Sequence, residues 1–400
     1  MQTTAGRANR AGQGHRAALL GLLLTLVAVT ACSPLRLSRS TTLSAGEVGT
    51  RTSQLAAAPG RTAVRAAAVA TPATVAPASP APSAVPAAAP VTVAPAAPGP
   101  PAGRTDLAGC PRFPADNAFN AHVLTLPVRS DSAATLAAAG GAGQRVRAGF
   151  TSGIWQGSRG GYPVNMVDSR TDASVDYLIN AYPGVSDPSG HTLPAVPRFE
   201  GWPLIAWDRH LLTVDTATCT SSEAFNVSPP WENPLGRWIA DSAVHFDLRS
   251  NALPPRGSST ASGLSLLHGL VRYDEVASGR VAHAVAVTLP QIRQGAAVWP
   301  ARYSDGRSTN PAAPQMGTWL RLRADVDLSA LGPQARTVAE AMKVHGAVVS
   351  DTGPGGLVVN GEPDERWNDR DLSGLGALSL DDFEVVDASG MRVDDSLRAR

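Results

Sequence analysis

Two carboxylate–imidazole pairs are the residues of this chain best suited to moving protons. Across Leu204–Asp215 a strand would put Ala206, Asp208, His210, Leu212 and Val214 on one face, with the Asp208 and His210 Cα atoms about 7 Å apart. A histidine beside an aspartate is held in one tautomer and made more basic. The pair is therefore either a proton-transfer couple at the mouth of a cleft or a hydrogen-bonded structural pair. The second couple is Asp274, in the run GLVRYDEV at 269–276, with His283. His283 shares a row with Val281, Val285 and Val287, as either a satisfied core histidine or a titrating group facing a cleft. Asp247 adds a further carboxylate opposite Phe246 and Leu248. Carboxyl groups on facing elements are what glycoside hydrolysis needs, one as acid and one as base or nucleophile.

Sugar binding needs flat rings and planar donors. A strand over Leu270–Val276 would place Arg272 beside Asp274, while Trp299-Pro300-Ala301-Arg302-Tyr303 and Arg366-Trp367-Asn368-Asp369 each join an aromatic to a guanidinium. Arg272, Trp299, Arg302 and Trp367 are the candidate substrate-binding residues; such side chains equally fill cores and pair with acids. No metal or cofactor is expected. Asp369-Arg370-Asp371-Leu372-Ser373-Gly374 begins like a calcium loop, but its twelfth position is Leu380, where a bidentate carboxylate is required. Asn368 and Asp369 read instead as helix-capping residues. The chain has no H-E-x-x-H, C-x-x-C or G-x-S-x-G run, and its one lysine, Lys343, excludes a Walker loop.

These residues belong to one part of the 400-residue chain. All 20 aromatic side chains lie between Phe113 and Phe383, so the first quarter has little with which to build a core. Residues 1–105 hold nine arginines and one acid, Glu47, leaving 25 basic and 32 acidic groups beyond them. A folded part with that excess of acid is a poor partner for nucleic acid. Arg7, Arg10 and Arg16 precede an apolar run, Ala17–Val29, of signal-peptide length, and it ends in Val29-Thr30-Ala31-Cys32. This ending resembles a bacterial lipobox, with Cys32 lipidated as the mature N-terminus; the alternative is an ordinary secretory signal. The expected organisation is a leader at 1–32, an Ala/Pro-rich tether at 33–105, one β-rich domain at 106–390 and a tail at 391–400. The partners that follow are the membrane, through the lipid on Cys32, and cell-wall polysaccharide within reach of the tether, at the outer face of the cytoplasmic membrane. The remaining cysteines, Cys110 and Cys219, predict a disulfide in an exported domain, the alternative being two separately buried thiols.

Within the domain, Trp319–Leu328 alternates strictly, as a half-buried strand does. Further strands are expected at Leu204–Asp215, Val244–Leu248, Leu270–Val276, Arg280–Leu289, Ala297–Tyr303, Ala347–Ser350, Leu357–Asn360 and Phe383–Asp387. Helices are expected at Ser132–Ala139, from Pro333 to His345 with Gly346 as its stop, and from Asn368. The class is mainly β (α+β): an antiparallel β-sandwich or curved sheet with one or two peripheral helices.

The runs DRHLLTVD (208–215), FDLRSNAL (246–253), GLVRYDEVASG (269–279), VWPAR (298–302) and RWND (366–369) resemble a group of secreted actinobacterial proteins of unknown function. The likeness spans Cys110 to Asp387, with Trp207 standing where that group usually has glycine. It implies export and no particular activity. Together these features lead us to expect a cell-surface lipoprotein whose domain is carbohydrate-active, as a glycoside hydrolase or polysaccharide lyase. The alternative is a non-catalytic surface lipoprotein that binds wall glycan.

Overall fold

The computed structural model describes residues 107–155, 157–203 and 208–400. The leader with Cys32, the tether, and residues 204–207 of the strand expected at Leu204–Asp215 lie outside the described residues. The described protein is mainly β, with a curled sheet and few helices, as expected. Among the described residues no helix is long and apolar enough to cross a membrane.

The first helix, α1 (Ser132–Ala139), forms where its Ala/Leu run predicts, and Gly140 ends it at φ +114°, a conformation that a residue without Cβ adopts at little cost. After β1 (Val146–Ala148) come β2 (Val164–Val167), β3 (Ala173–Val175), β4 (Leu178–Ile179), β5 (His191–Leu193), β6 (Leu211–Asp215), β7 (Thr220–Phe225), β8 (Ile239–Ala240) and β9 (Ser242–Asp247). Of these, β2-β6-β7-β9 form a four-stranded sheet, and β3-β5 and β4-β8 are two-stranded pairs. The chain continues through α2 (Tyr273–Ala277), β10 (Val285–Leu289), β11 (Trp319–Leu322), α3 (Pro333–Val344), β12 (Ala347–Thr352), β13 (Leu357–Val359), α4 (Asp369–Leu372) and β14 (Phe383–Val385). These strands join β1 in a six-stranded sheet of order β1-β13-β10-β12-β11-β14. Strand directions are mixed: β1–β13, β10–β12, β2–β6 and β4–β8 run parallel. Parallel neighbours need a crossover, and β10 reaches β12 only by way of β11 and α3.

The main core lies between the larger sheet and α3. Ala335, Val338, Ala339 and Met342, spaced i, i+3, i+4, i+7, are buried in one cluster with Val285, Val287, Leu320, Leu322 and Val349. Each fully buried Val, Leu or Met contributes about 1.5–3 kcal/mol. Pro333 opens α3, and the Asp371 carboxylate accepts from Gln334 N at 3.0 Å and Ala335 N at 3.1 Å. An acid there answers both the unpaired donors and the positive end of the helix. Asn368 caps α4 by accepting from Asp371 N, whereas Asp369, also expected to cap, instead accepts from Ser152 N and Oγ, each at 2.8 Å. The far face of β10 is covered so closely that a Cβ on Gly269 would lie 2.2 Å from Ala286 N.

Several expectations change. The strands expected over Leu204–Asp215 and Arg280–Leu289 begin only at Leu211 and Val285 among the described residues, so Asp208, His210 and His283 lie ahead of them rather than on a strand face. The strand at Trp319 stops at Leu322 and is buried on both faces, because Arg321, on the face read as polar, is enclosed: it pairs with Glu384 at 2.6 Å and donates to the carbonyls of Val123, Leu124 and Leu126. Leu270–Val276 is not a strand. Its Asp274–Glu275 acids lie in the first turn of α2, where Glu275 accepts from Arg272 N at 3.0 Å, and Gly279 at φ +82° closes the turn. Ala297–Tyr303 is a loop paired with Met316 at Ala297 alone, since Pro300 lacks the N–H that a ladder needs. The last ten residues, expected as a tail, pack back on the domain: Leu397 is buried, its N–H donates to Asn251 O, and its carbonyl accepts from Ala118 N. Cys110 and Cys219 form the expected disulfide, with Cα atoms 5.3 Å apart, inside a cluster with Leu107, Phe113, Leu212 and Phe246.

Candidate functional site

A cavity of about 480 Å³ opens where the start of β6 faces the end of β12, and Asp208, His210, Ser258, Ser259, Thr260, Tyr303, Asp305 and Asp351 line it. Asp351 owes its place to an irregularity in the sheet. Val287 pairs with Val349 but Thr288 pairs with Asp351, so Ser350 is an extra residue in β12. Such a bulge turns the following side chain, and here it is followed by a carboxylate. Asp351 accepts from Ala261 N at 3.0 Å and Thr352 N at 2.8 Å. Burial outweighs these bonds and, with Asp305 nearby, pushes its carboxyl up to about 7. A side chain of that kind is a proton donor near neutrality.

Asp208 stands at the exposed rim. Partial burial raises its carboxyl, the His210 cation pulls against the rise, and Glu200 and Asp305 add to it. The next residue, Arg209, is held at φ +52°, its guanidinium tied to Val227 O at 2.7 Å and to Glu232 at 2.6 Å. A non-glycine residue in the left-handed region costs about 1–3 kcal/mol and persists where its surroundings over-determine it.

His210 is buried and lies edge-on to the Tyr162 ring. Its Nδ1 donates to Glu200 at 2.7 Å and its Nε2 to Ser259 O at 2.9 Å. Burial disfavours the imidazolium, but the Glu200 charge and hydrogen bond, with Asp351 and Asp208 beyond, outweigh burial and lift the ring to about 9. Both ring nitrogens are thus committed as donors, and His210 acts as a fixed cation in the floor rather than a proton shuttle. Beneath it Glu223, fully buried, accepts from Ser221, Ser259 and Ser265 hydroxyls and from Leu266 N. Burial still raises its carboxyl against those bonds. Glu223 holds Ser259, whose carbonyl holds His210. Glu200, Glu223 and Asp351 were not singled out from sequence; the only local sign was a single acid amid apolar and hydroxyl residues in β7 and β12.

The expected acid–base residues do not converge on one groove. Asp208 and His210 meet here, while Asp274 and Arg272 line a second cavity of about 430 Å³. His283 is buried elsewhere: its Nδ1 donates to Ala284 O at 2.7 Å, and its Nε2 lies 2.6 Å from the Arg112 guanidinium and 3.2 Å from the Glu275 carboxylate. The Arg112 guanidinium also donates to Leu267 O and pairs with Glu275 at 2.6 Å. Burial opposes charge on Glu275, but Arg112 and His283 outweigh it and hold the carboxyl down at about 2. Arg112→Ala, by leaving that carboxylate buried and unpaired, is expected to lower unfolding free energy by about 3–5 kcal/mol in urea titration. A loss under about 1 kcal/mol would mean water reaches the cluster.

Of the expected sugar-binding aromatics, Trp367 is buried and Trp299 half-buried against the core. Trp367 is buried against Phe150 and Tyr273, with Nε1 donating to Glu362 O at 2.9 Å. Trp299 packs into a core cluster with Trp319 nearby, its N–H given to Ser396 O. Arg302 donates to the carbonyls of Pro254, Gly257 and Gly263, fastening the loop that carries Ser258–Thr260 to the first cavity. Among the described residues no group of three or more His, Cys, Asp or Glu side chains is arranged to hold a metal ion. Comparison of the chain with protein-family models, with curated proteins and with solved structures finds no match.

Proposed function

We propose that this chain is an exported, lipid-anchored surface protein whose domain hydrolyses glycosidic bonds at the first cavity. The observation that carries the reading is Asp351, a carboxyl raised to about 7 by burial, lining one open cavity with Asp208. In this reading Asp351 gives its proton to the leaving glycosidic oxygen. Asp208, as carboxylate, draws a proton from water attacking the anomeric carbon, or attacks that carbon itself before water releases the sugar. Either way the C–O bond breaks, the hydroxyl of water goes to the anomeric carbon and a proton to the departing oxygen. The hydroxyls of Ser258, Ser259 and Thr260 and the ring of Tyr303 suit a polyhydroxylated substrate with one apolar face. Export rests on the Arg7–Cys32 leader and on the likeness to secreted actinobacterial proteins.

Incubating the protein with wall and plant polysaccharides should yield new reducing ends. Asp208→Asn is expected to cut that rate by about 10²-fold or more. Unsaturated products in place of reducing ends would favour a lyase. Non-catalytic glycan binding is the second reading, favoured by His210, whose two N–H groups are both occupied; retention of a polysaccharide without any product would decide for it.

A further inference from the structure

The second cavity holds arginine donors that the protein's own acids leave unanswered. Four arginines line it, with Asp274, Glu362, Asp364 and Glu365. The acids are already matched. Arg366 takes both Asp274, at 2.9 Å, and Asp364, at 2.6 Å; Arg159 takes Glu365 at 2.7 Å; Arg272 Nε takes Glu362 at 3.1 Å. Because Arg366 uses two acids, one arginine is left over. Arg198 has no side-chain hydrogen bond or ion pair among the described residues, although its backbone is clamped: Asn165 accepts from Arg198 N at 2.8 Å and donates to Arg198 O at 2.9 Å. Arg272 Nη1 is buried with no partner. A buried donor left unmet costs about 1–3 kcal/mol, which a bound acceptor would recover.

We propose that this cavity binds the carboxylate of an acidic sugar, held by Arg198, with the unpartnered Nη1 of Arg272 in the same wall. Planar guanidinium groups match a carboxylate better than any other side chain does. The remaining wall suits the sugar around that carboxylate. Trp202 supplies a flat apolar face, and the paired Arg366–Asp364 and Arg159–Glu365 edges supply both donors and acceptors for hydroxyls. The proposal does not rest on catalysis at the first cavity. The two places are adjacent along the chain: Arg198 lines the second, Glu200 holds His210 in the first, and Phe199 between them is fully buried.

The test is calorimetric titration of a galacturonate oligomer, and of the same oligomer with its carboxyls reduced to alcohols, into the full chain carrying Asp208→Asn. That background prevents the probe from being consumed and separates this site from the catalytic reading. The acidic oligomer is expected to bind about tenfold or more tightly than the neutral one, and less tightly as salt rises. Arg198→Gln, at an exposed position where folding should persist, is expected to remove that preference without moving the unfolding midpoint. Equal binding of the two oligomers, no binding of the acidic one, or a preference that survives Arg198→Gln would each overturn the proposal; in those cases water satisfies Arg272.

Discussion

Asp351→Asn should abolish turnover and make the protein more stable in alkaline solution. The amide keeps the size of the side chain but has no proton to give, so a loss of about 10²–10⁴ in rate is expected if Asp351 is the acid. The stability effect has a definite sign. The native carboxyl titrates at about 7, whereas that of an unfolded aspartate titrates near 3.8. Between those values the folded chain holds a proton that the unfolded chain has released, so wild-type stability falls as pH rises through the window and levels off above about 7. The whole fall amounts to about 4 kcal/mol at most. Asparagine cannot ionise, so the variant should not show that fall, and its advantage should be near zero at pH 4 and largest at pH 8. Urea titrations at both pH values read the difference. Wild-type activity should decline as pH rises through about 7, where Asp351 loses its proton. Undiminished turnover in the variant would take Asp351 out of the chemistry, whatever its stability did.

Opening the Cys110–Cys219 bridge should lower stability by about 4 kcal/mol or more. The two residues are 109 apart in sequence, and cross-linking a loop of that size removes about 4–5 kcal/mol worth of freedom from the unfolded chain. The bridge also sits in a cluster that includes Phe113, Val214, Phe246 and Leu248, so replacing both cysteines by serine adds the cost of burying hydroxyls. Comparing the oxidised protein, the reduced protein and a double alanine variant separates the terms. Reduction alone should lower unfolding free energy by about 4 kcal/mol, and alanine should add the lost packing. If the reduced protein unfolds at the same urea concentration as the oxidised one, the unfolded chain is already compact around this loop.

The elements legible in sequence were those whose signals are local. Ser132–Ala139 and Pro333–Val344 stand where helix-forming runs meet a glycine stop, and Asn368 caps as read. Val348 and Val349 in β12 and Leu357 in β13 lie in short apolar runs bounded by turns, as buried strands do. Where the reading failed, a long-range partner had changed the meaning of a local pattern. Arg321 alternates like a solvent-facing residue, yet carbonyls of the 123–126 segment and Glu384 enclose it. Tyr273-Asp274-Glu275-Val276 fits a strand by spacing, but a carboxylate reaching back to Arg272 N makes it a helix.

The candidate site divides along the same line. From its residues alone the chain determined its two charge regimes, its cysteine bridge, its mainly β class, and Asp208 and His210 as neighbours on a polar interruption of an apolar run. Only the tertiary structure decided that Asp351, turned by a bulge in another sheet into the cavity that Asp208 lines, has its carboxyl raised to about 7, and that His210 is a held cation. The physical reason is that a pKa is set by desolvation and by charges within a few ångströms, and those neighbours come from β6, β7, β12 and the 258–261 and 303–305 loops, which no sequence window contains together.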